Sequence, residues 1–180
     1  MDSETTTKLK AIETWLTGEF AGIRSGQASP AILDSIKIES YGALLPIQQV
    51  GSVSIEDART LRIAPWDTTQ VKAIETAISE ANLGVSVATD SSGLRVIFPE
   101  LTSERRDQLL KLAKQRLEDA RIRVRHVRDD EMKSLDRAEK DGDISEDEKF
   151  TEKDKVQKVV DSTNTALEAL FAKKETELQS

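Results

Sequence analysis

The chain has 180 residues, of which 37% are hydrophobic, only 4% aromatic and 33% charged, a balance that favours long, largely exposed helices over a large aromatic core. Cysteine is absent, so disulfides and thiolate metal sites are excluded and a reducing compartment fits. No stretch approaches the ~20 apolar residues of a membrane span, and the start Met1-Asp2-Ser3-Glu4 has neither a basic nor an apolar run, so a soluble, cytoplasmic protein without a secretory signal is expected.

The net charge is −7, which taken evenly argues against a nucleic-acid partner. It is not evenly spread. Arg105 to Arg128 holds nine Lys or Arg against three acids, whereas Glu139 to Asp154 holds eight acids against three Lys. A chain so partitioned can present a basic face whatever its total charge.

In chain order, Leu9, Ile12, Leu16, Phe20 and Ile23 recur at spacings of three and four, predicting an amphipathic helix from about Thr5 to Ser25 with Gly26 just past its end. Ala28-Ser29-Pro30 punctuates the chain. Ile36 to Tyr41 and Val50 to Ile55 alternate apolar and polar as half-buried strands do, with turns marked by Gly42 and Pro46, and Thr60 to Ala64 stops at Pro65. Asp67 can cap a short helix over about Thr68 to Glu80, with Val71, Ile74 and Ile78 on one face. Val85 to Thr89 and Leu94 to Phe98 read as strands around the hairpin signal Asp90-Ser-Ser-Gly93.

Past Pro99 the strands give way to helices. Thr102 or Ser103 can cap a long helix carrying Leu110, Ala113, Leu117, Ala120, Val124 and Val127 as a heptad seam, running to about Lys140. Asp141-Gly142-Asp143 breaks it. Ser145 to Glu148 forms a capping box that opens a third helix with Val156, Val159, Thr163, Ala166 and Leu170 on its stripe. Each of the three helices has one apolar stripe that it cannot shield alone, so the two ends of the chain are expected to join as a three-helix bundle, residues 1–29 with 101–180. Residues 30–100 are then an inserted small β-rich α+β domain. Its two neighbouring connections make a hinge.

Catalysis finds little support. The single histidine, His126, stands among arginines and is expected to be a non-catalytic surface residue; a histidine triad or metal site lacks its other members. Neither a Walker A loop nor a GxGxxG pattern occurs. The acid run Asp141 to Glu148 lacks the spacing of a calcium loop and is read as a solvated turn and helix start. No metal and no cofactor are expected. The strongest signal is the basic helix: Arg121, Arg125 and Arg128 fall on one side, spanning roughly 10 Å, and Arg116 and Arg123 form a second row on the other flank. Two readings of these rows stand open: bidentate phosphate contacts, or pairing with acids of neighbouring helices as in ordinary bundles. Trp15 and Trp66 are expected to pack rather than to stack on bases.

Taken in order, Ile23 to Pro30, Leu33-Asp34, Tyr41-Gly42, Pro46, Ile63-Ala-Pro-Trp-Asp67, Ala77-Ile78, Leu83-Gly84, Pro99 to Arg106, Val124 to Arg128 and Ile144 to Asp147 resemble the successive signatures of ribosome recycling factors. No single match is specific; the ordered set, covering nearly the whole chain, is. The resemblance implies an L-shaped arrangement of a three-helix bundle and a smaller α/β domain, hinged at Ala28, Ser29, Pro30 and at Pro99, Glu100, Leu101. It implies a monomeric, non-enzymatic factor whose bundle lies on large-subunit ribosomal RNA and which, with elongation factor G and GTP, separates the subunits. The family's essential helical arginine matches Arg128, with Arg125 and the pair Arg105 and Arg106 on the same RNA-facing side; Arg121 extends that row. The sequence departs from the family at Gln27 and Asp129, where many members carry a basic residue, and in the Leu83 to Arg95 segment, which lacks the usual proline and charged hairpin. The reading of another class is a coiled-coil scaffold that uses the heptad seams to hold a partner and binds no RNA.

Overall fold

A computed structural model describes residues 3–180. In chain order the elements are α1 (Ser3–Gly22), β1 (Lys37–Ser40), β2 (Ala43–Pro46), α2 (Ile47–Val50), β3 (Gly51–Asp57), β4 (Thr60–Pro65), α3 (Val71–Glu80), β5 (Ser86–Asp90), β6 (Gly93–Ile97), α4 (Ser103–Lys140) and α5 (Glu146–Gln179). The chain divides into two compact units, one of residues up to Ser25 with Ser103–Ser180 and the other Gly26–Thr102. An α+β fold with a long helical part and a small sheet part is what the sequence predicts.

In the first unit α1 packs on both α4 and α5. Leu9, Ile12, Leu16, Phe20 and Ile23 are all buried, and the Phe20 ring meets Phe171 with centroids 6.4 Å apart. The α1 helix ends at Gly22, three residues before the predicted Ser25. The Ile23 amide bonds the Phe20 carbonyl at 3.1 Å, tightening the last turn, and Gly18 and Gly22 are poor helix formers close to that end.

The seams of α4 and α5 are shifted from the predicted ones. On α4, Leu109 rather than Leu110 is buried, followed by Ala113, Leu117, Ala120 and Val124, with Val127 only half-buried. On α5, Val156 and Thr163 are buried as expected, but Val160 and Leu167 take the places given to Val159 and Ala166, and Leu170 is half-buried. In a three-helix bundle each helix faces two neighbours, so its apolar stripe is wider than a two-position seam. Which of two adjacent apolar residues points between the neighbours depends on where those neighbours stand.

The α4 helix, about 57 Å long at 1.5 Å per residue, stops as the sequence predicts. Gly142 takes φ +82, its amide bonds the Glu139 carbonyl, and the Asp143 amide reaches back to Ala138 at 2.9 Å, which satisfies carbonyls the helix end would leave open. Ser145 then starts α5: its hydroxyl accepts from the Glu148 amide at 3.2 Å and its amide donates to the Glu148 carboxylate at 2.8 Å. That backbone bond from Ser145 holds the Glu148 carboxyl below the usual range.

In the second unit an antiparallel sheet runs β3-β4-β6-β5 beside the separate hairpin β1-β2. Leu61 and Ile63 of β4 and Leu94 and Val96 of β6 fill one core with Ile38, Ile74 and Ile78, while the other face of the sheet carries polar side chains, as an antiparallel sheet covered on one side should. The helix predicted from Thr68 begins instead as a single 3-10 turn, Thr68–Gln70, before α3; Asp67 caps it by accepting from the Thr69 amide at 2.9 Å. At the β5-β6 turn, Asp90 accepts from both terminal guanidinium nitrogens of Arg62, at 2.6 and 2.8 Å, and from the Ser92 amide at 2.8 Å. The guanidinium, above all, holds the Asp90 carboxyl far below the usual carboxylate range. Gly93 is required there, since its φ is +145 and a Cβ would collide with the Ile63 carbonyl oxygen.

Leu167 is fully buried at the centre of the α5 stripe. Leu167→Ala should lower the unfolding free energy by about 2–5 kcal/mol in urea titrations followed by helical circular dichroism. A change below ~1 kcal/mol would contradict its place in the core.

Candidate nucleic-acid interface

The α4 helix displays its arginines on two flanks because the buried residues Leu117, Ala120 and Val124 take the face between them. On the flank toward α1, Arg116 Nε pairs with Glu19 at 3.1 Å, and the Arg123 guanidinium lies 3.9 Å from the centre of the Trp15 ring, a cation–π contact. On the flank toward α5, Arg121, Arg125 and Arg128 border a cleft of about 290 Å³ with Val124 and Val160 as its apolar floor and Asn164 and Glu168 on its far side.

The three arginines of the cleft differ in what holds them. Arg121 Nη2 bonds Glu168 Oε1 at 2.7 Å, joining α4 to α5. Among the described residues Arg128 bonds only its own neighbour, Asp129 Oδ1, through Nε at 3.2 Å and Nη2 at 2.9 Å. Arg125 is exposed and, among the described residues, has neither a hydrogen bond nor an ion pair. Asn164 Oδ1 is buried without a hydrogen-bond partner. Both open readings of the rows are thus realised in part: Arg116 and Arg121 pair across the bundle, while among the described residues Arg125 and Arg128 pair with no neighbouring helix.

The other residues singled out in the sequence lie elsewhere. Arg105 and Arg106 stand in the first turn of α4, about 22 Å or more from Arg121 along the helix axis. Arg105 donates to Gln108 at 3.2 Å, and Arg106 Nε is buried without a partner. Ala28, Ser29 and Pro30 and Pro99, Glu100 and Leu101 lie within the second unit. There the Ala28 amide bonds the Ala58 carbonyl at 2.8 Å, the Phe98 amide bonds the Arg59 carbonyl at 2.8 Å, and Glu100 pairs with Arg59. His126 is exposed.

Trp15 packs as expected, half-buried beneath Arg123. Trp66 does not: 70% of it is exposed. Its amide is tied to the Val50 carbonyl at 3.0 Å, but the core beside β4 is already filled by Leu61 and Ile63, and the indole is left outside. Val160, Asn164 and Glu168 were not foreseen in the site. Their spacing of four places them on one side of α5, but only the register of α4 against α5 brings that side to the arginines.

The family model described as Ribosome recycling factor matches residues 16–178. The chain is 45% identical over 160 residues to the ribosome-recycling factor of a Chelativorans species and 42% identical to that of Agrobacterium fabrum, in each case covering 89% of this chain and 86% of the relative. The chain belongs to the ribosome recycling factor family. Two solved structures agree. One is a solution structure of the ribosome recycling factor, with a TM-score of 0.67 and 35% identity over 98% of this chain and 94% of that one. The other comes from models of the T. thermophilus ribosome recycling factor and the E. coli elongation factor G bound to the E. coli post-termination complex, with a TM-score of 0.61 and 34% identity over 99% and 96%. The family read from the ordered motifs between Ile23 and Asp147 is therefore the right one. No helix among the described residues is long and apolar enough to cross a membrane.

For a ribosome recycling factor of net charge −7, retention on a phosphate polymer has to come from a local basic face. Arg125→Ala should elute from phosphocellulose at clearly lower salt than the parent, whereas Arg116→Ala, on the flank toward α1 beside Glu19 and away from the cleft, should shift less. Equal shifts for the two variants would count against the cleft flank as the anion-binding side.

Proposed function

We propose that this chain is a ribosome recycling factor that anchors itself on large-subunit ribosomal RNA through the cleft flank of α4, with Arg128 and Arg125 as the principal phosphate contacts, Arg121 beside them, and Arg105 and Arg106 extending the basic track toward the start of the helix. It binds the post-termination ribosome and, with elongation factor G and GTP, promotes subunit separation. The observation that carries the anchoring is the arrangement at the cleft: guanidiniums on one flank, floored by Val124 and Val160, two of them without a partner on another helix among the described residues. Planar guanidiniums in a row suit bidentate phosphate contacts, and phosphate contacts position a protein on nucleic acid without reading its sequence.

The chain supplies no bond-breaking group in this account. It works in the cytoplasm as a rigid helical anchor, and the energy comes from the partner GTPase. Residues 30–100 form the part that elongation factor G pushes, and Ala28, Ser29, Pro30 and Pro99, Glu100, Leu101 form the hinge, since only two chain crossings join the helical and sheet parts. A scaffold that lends its seams to a partner is disfavoured, because the stripes of α1, α4 and α5 bury one another within the chain. The factor acts as a monomer.

The test is polysome breakdown with purified ribosomes, matched elongation factor G and GTP. The parent should convert polysomes to subunits, and Arg128→Ala should bind ribosomes tenfold or more weakly, as expected for the loss of a charge-assisted contact of about 1.5–3 kcal/mol. An Arg128→Ala variant that binds and recycles like the parent would overturn the anchoring.

A further inference from the structure

The cleft carries its own anion. Glu168 of α5 is 61% exposed at the side chain and reaches across to Arg121 at 2.7 Å, in the same cleft as Arg125 and Arg128. We propose that Glu168 is a built-in competitor for RNA phosphate: it holds Arg121 in the free protein, yields it when a phosphate enters the cleft, and so sets the affinity of the site below what its arginines alone would give. This rests on the phosphate-binding reading above and adds a regulating residue to it.

A guanidinium offers a planar fork of donors, and a carboxylate and a phosphate compete for the same fork. The Arg121–Glu168 pair is well exposed, 37% at the arginine side chain, and exposed pairs contribute little against water and salt. A polyanion can therefore take over Arg121 cheaply. What it cannot remove is the carboxylate, which stays within a Debye length of about 8–10 Å of the phosphates and repels them. Arg121 and Glu168 together then add almost no net charge to the contact zone. Arg128 is restrained in the same sense by Asp129, which leaves Arg125 as the cleft cation with no internal anion among the described residues. A binding site tuned in this way releases its RNA more readily.

The test is binding of the full chain to purified ribosomes, measured by co-sedimentation at several salt concentrations, with parent, Glu168→Gln, Arg121→Gln and the double variant. Glu168→Gln keeps the shape of the side chain and removes its charge. It should bind about threefold to tenfold tighter at roughly 100 mM salt, and its plot of log affinity against log salt should steepen by about 0.7–0.9, the value of one more net phosphate contact. A purely structural role for the pair would not change that slope. Arg121→Gln should weaken binding in both backgrounds and by more in the Glu168→Gln background, a non-additivity that marks the two residues as coupled. Glu168→Gln with unchanged or weaker affinity and an unchanged slope overturns the inference alone, provided the parent responds to salt and to Arg128→Ala. A parent insensitive to both overturns the anchoring site and this inference with it.

Discussion

Three apolar stripes drive the helical part of this chain, and none can be shielded by the helix that bears it. Burying Leu9, Leu16 and Phe20 of α1 against Leu117 and Val124 of α4 and Val160 and Leu167 of α5 requires residues from both ends of the sequence to meet. Burial of that apolar surface is the dominant favourable term in folding, and its geometry dictates the rest. Once the buried residues of α4 point inward, its arginines have only the two flanks to occupy. One flank meets α1, where Glu19 and Trp15 engage Arg116 and Arg123. The other borders the cleft. The functional surface is thus a by-product of how the core is closed.

Charge follows the same partition. Whole-chain acidity of −7 misdescribes a molecule whose acids gather around the α4-α5 turn and the start of α5, where Glu148 serves as a capping residue and Lys149 and Lys153 pair with Glu139 and Asp136. Such exposed pairs are weak individually and offset only part of the acidity of that end, where eight acids face three Lys between Glu139 and Asp154. In the arginine cleft Glu168 and Asp129 face three arginines, and the residual positive charge is what a phosphate backbone can use.

Much of this was legible in the sequence, for identifiable reasons. Local signals were faithful: the capping box at Ser145, Gly142 at the end of α4, the Asp90 to Gly93 hairpin and the α1 stripe all depend on residues a few positions apart, where spacing alone determines contact. The ordered motifs sufficed for the family. What escaped depends on neighbours distant in the chain. Leu109 against Leu110, and Val160 against Val159, differ by one position, and the choice is made by where the other two helices stand. The exposure of Trp66 follows from a core already filled by other strands. Asn164 and Glu168 enter the cleft through the register of α4 on α5. Sequence gives the spacing of the arginines but not which of them find internal partners: Arg121 and Arg116 do across the bundle, Arg125 does not among the described residues, and nothing in their spacing of three to five separates them.

The joint folding of the two chain ends is measured most directly by native-state hydrogen exchange, because amides that open only on global unfolding report the stability of the unit they belong to. Amides beneath Leu9 to Phe20 in α1 should exchange with the same opening free energy as those around Val124 in α4 and Leu167 in α5, and should move with them when urea is added. An α1 that exchanges freely while α4 and α5 remain protected would contradict a bundle closed by both ends of the chain.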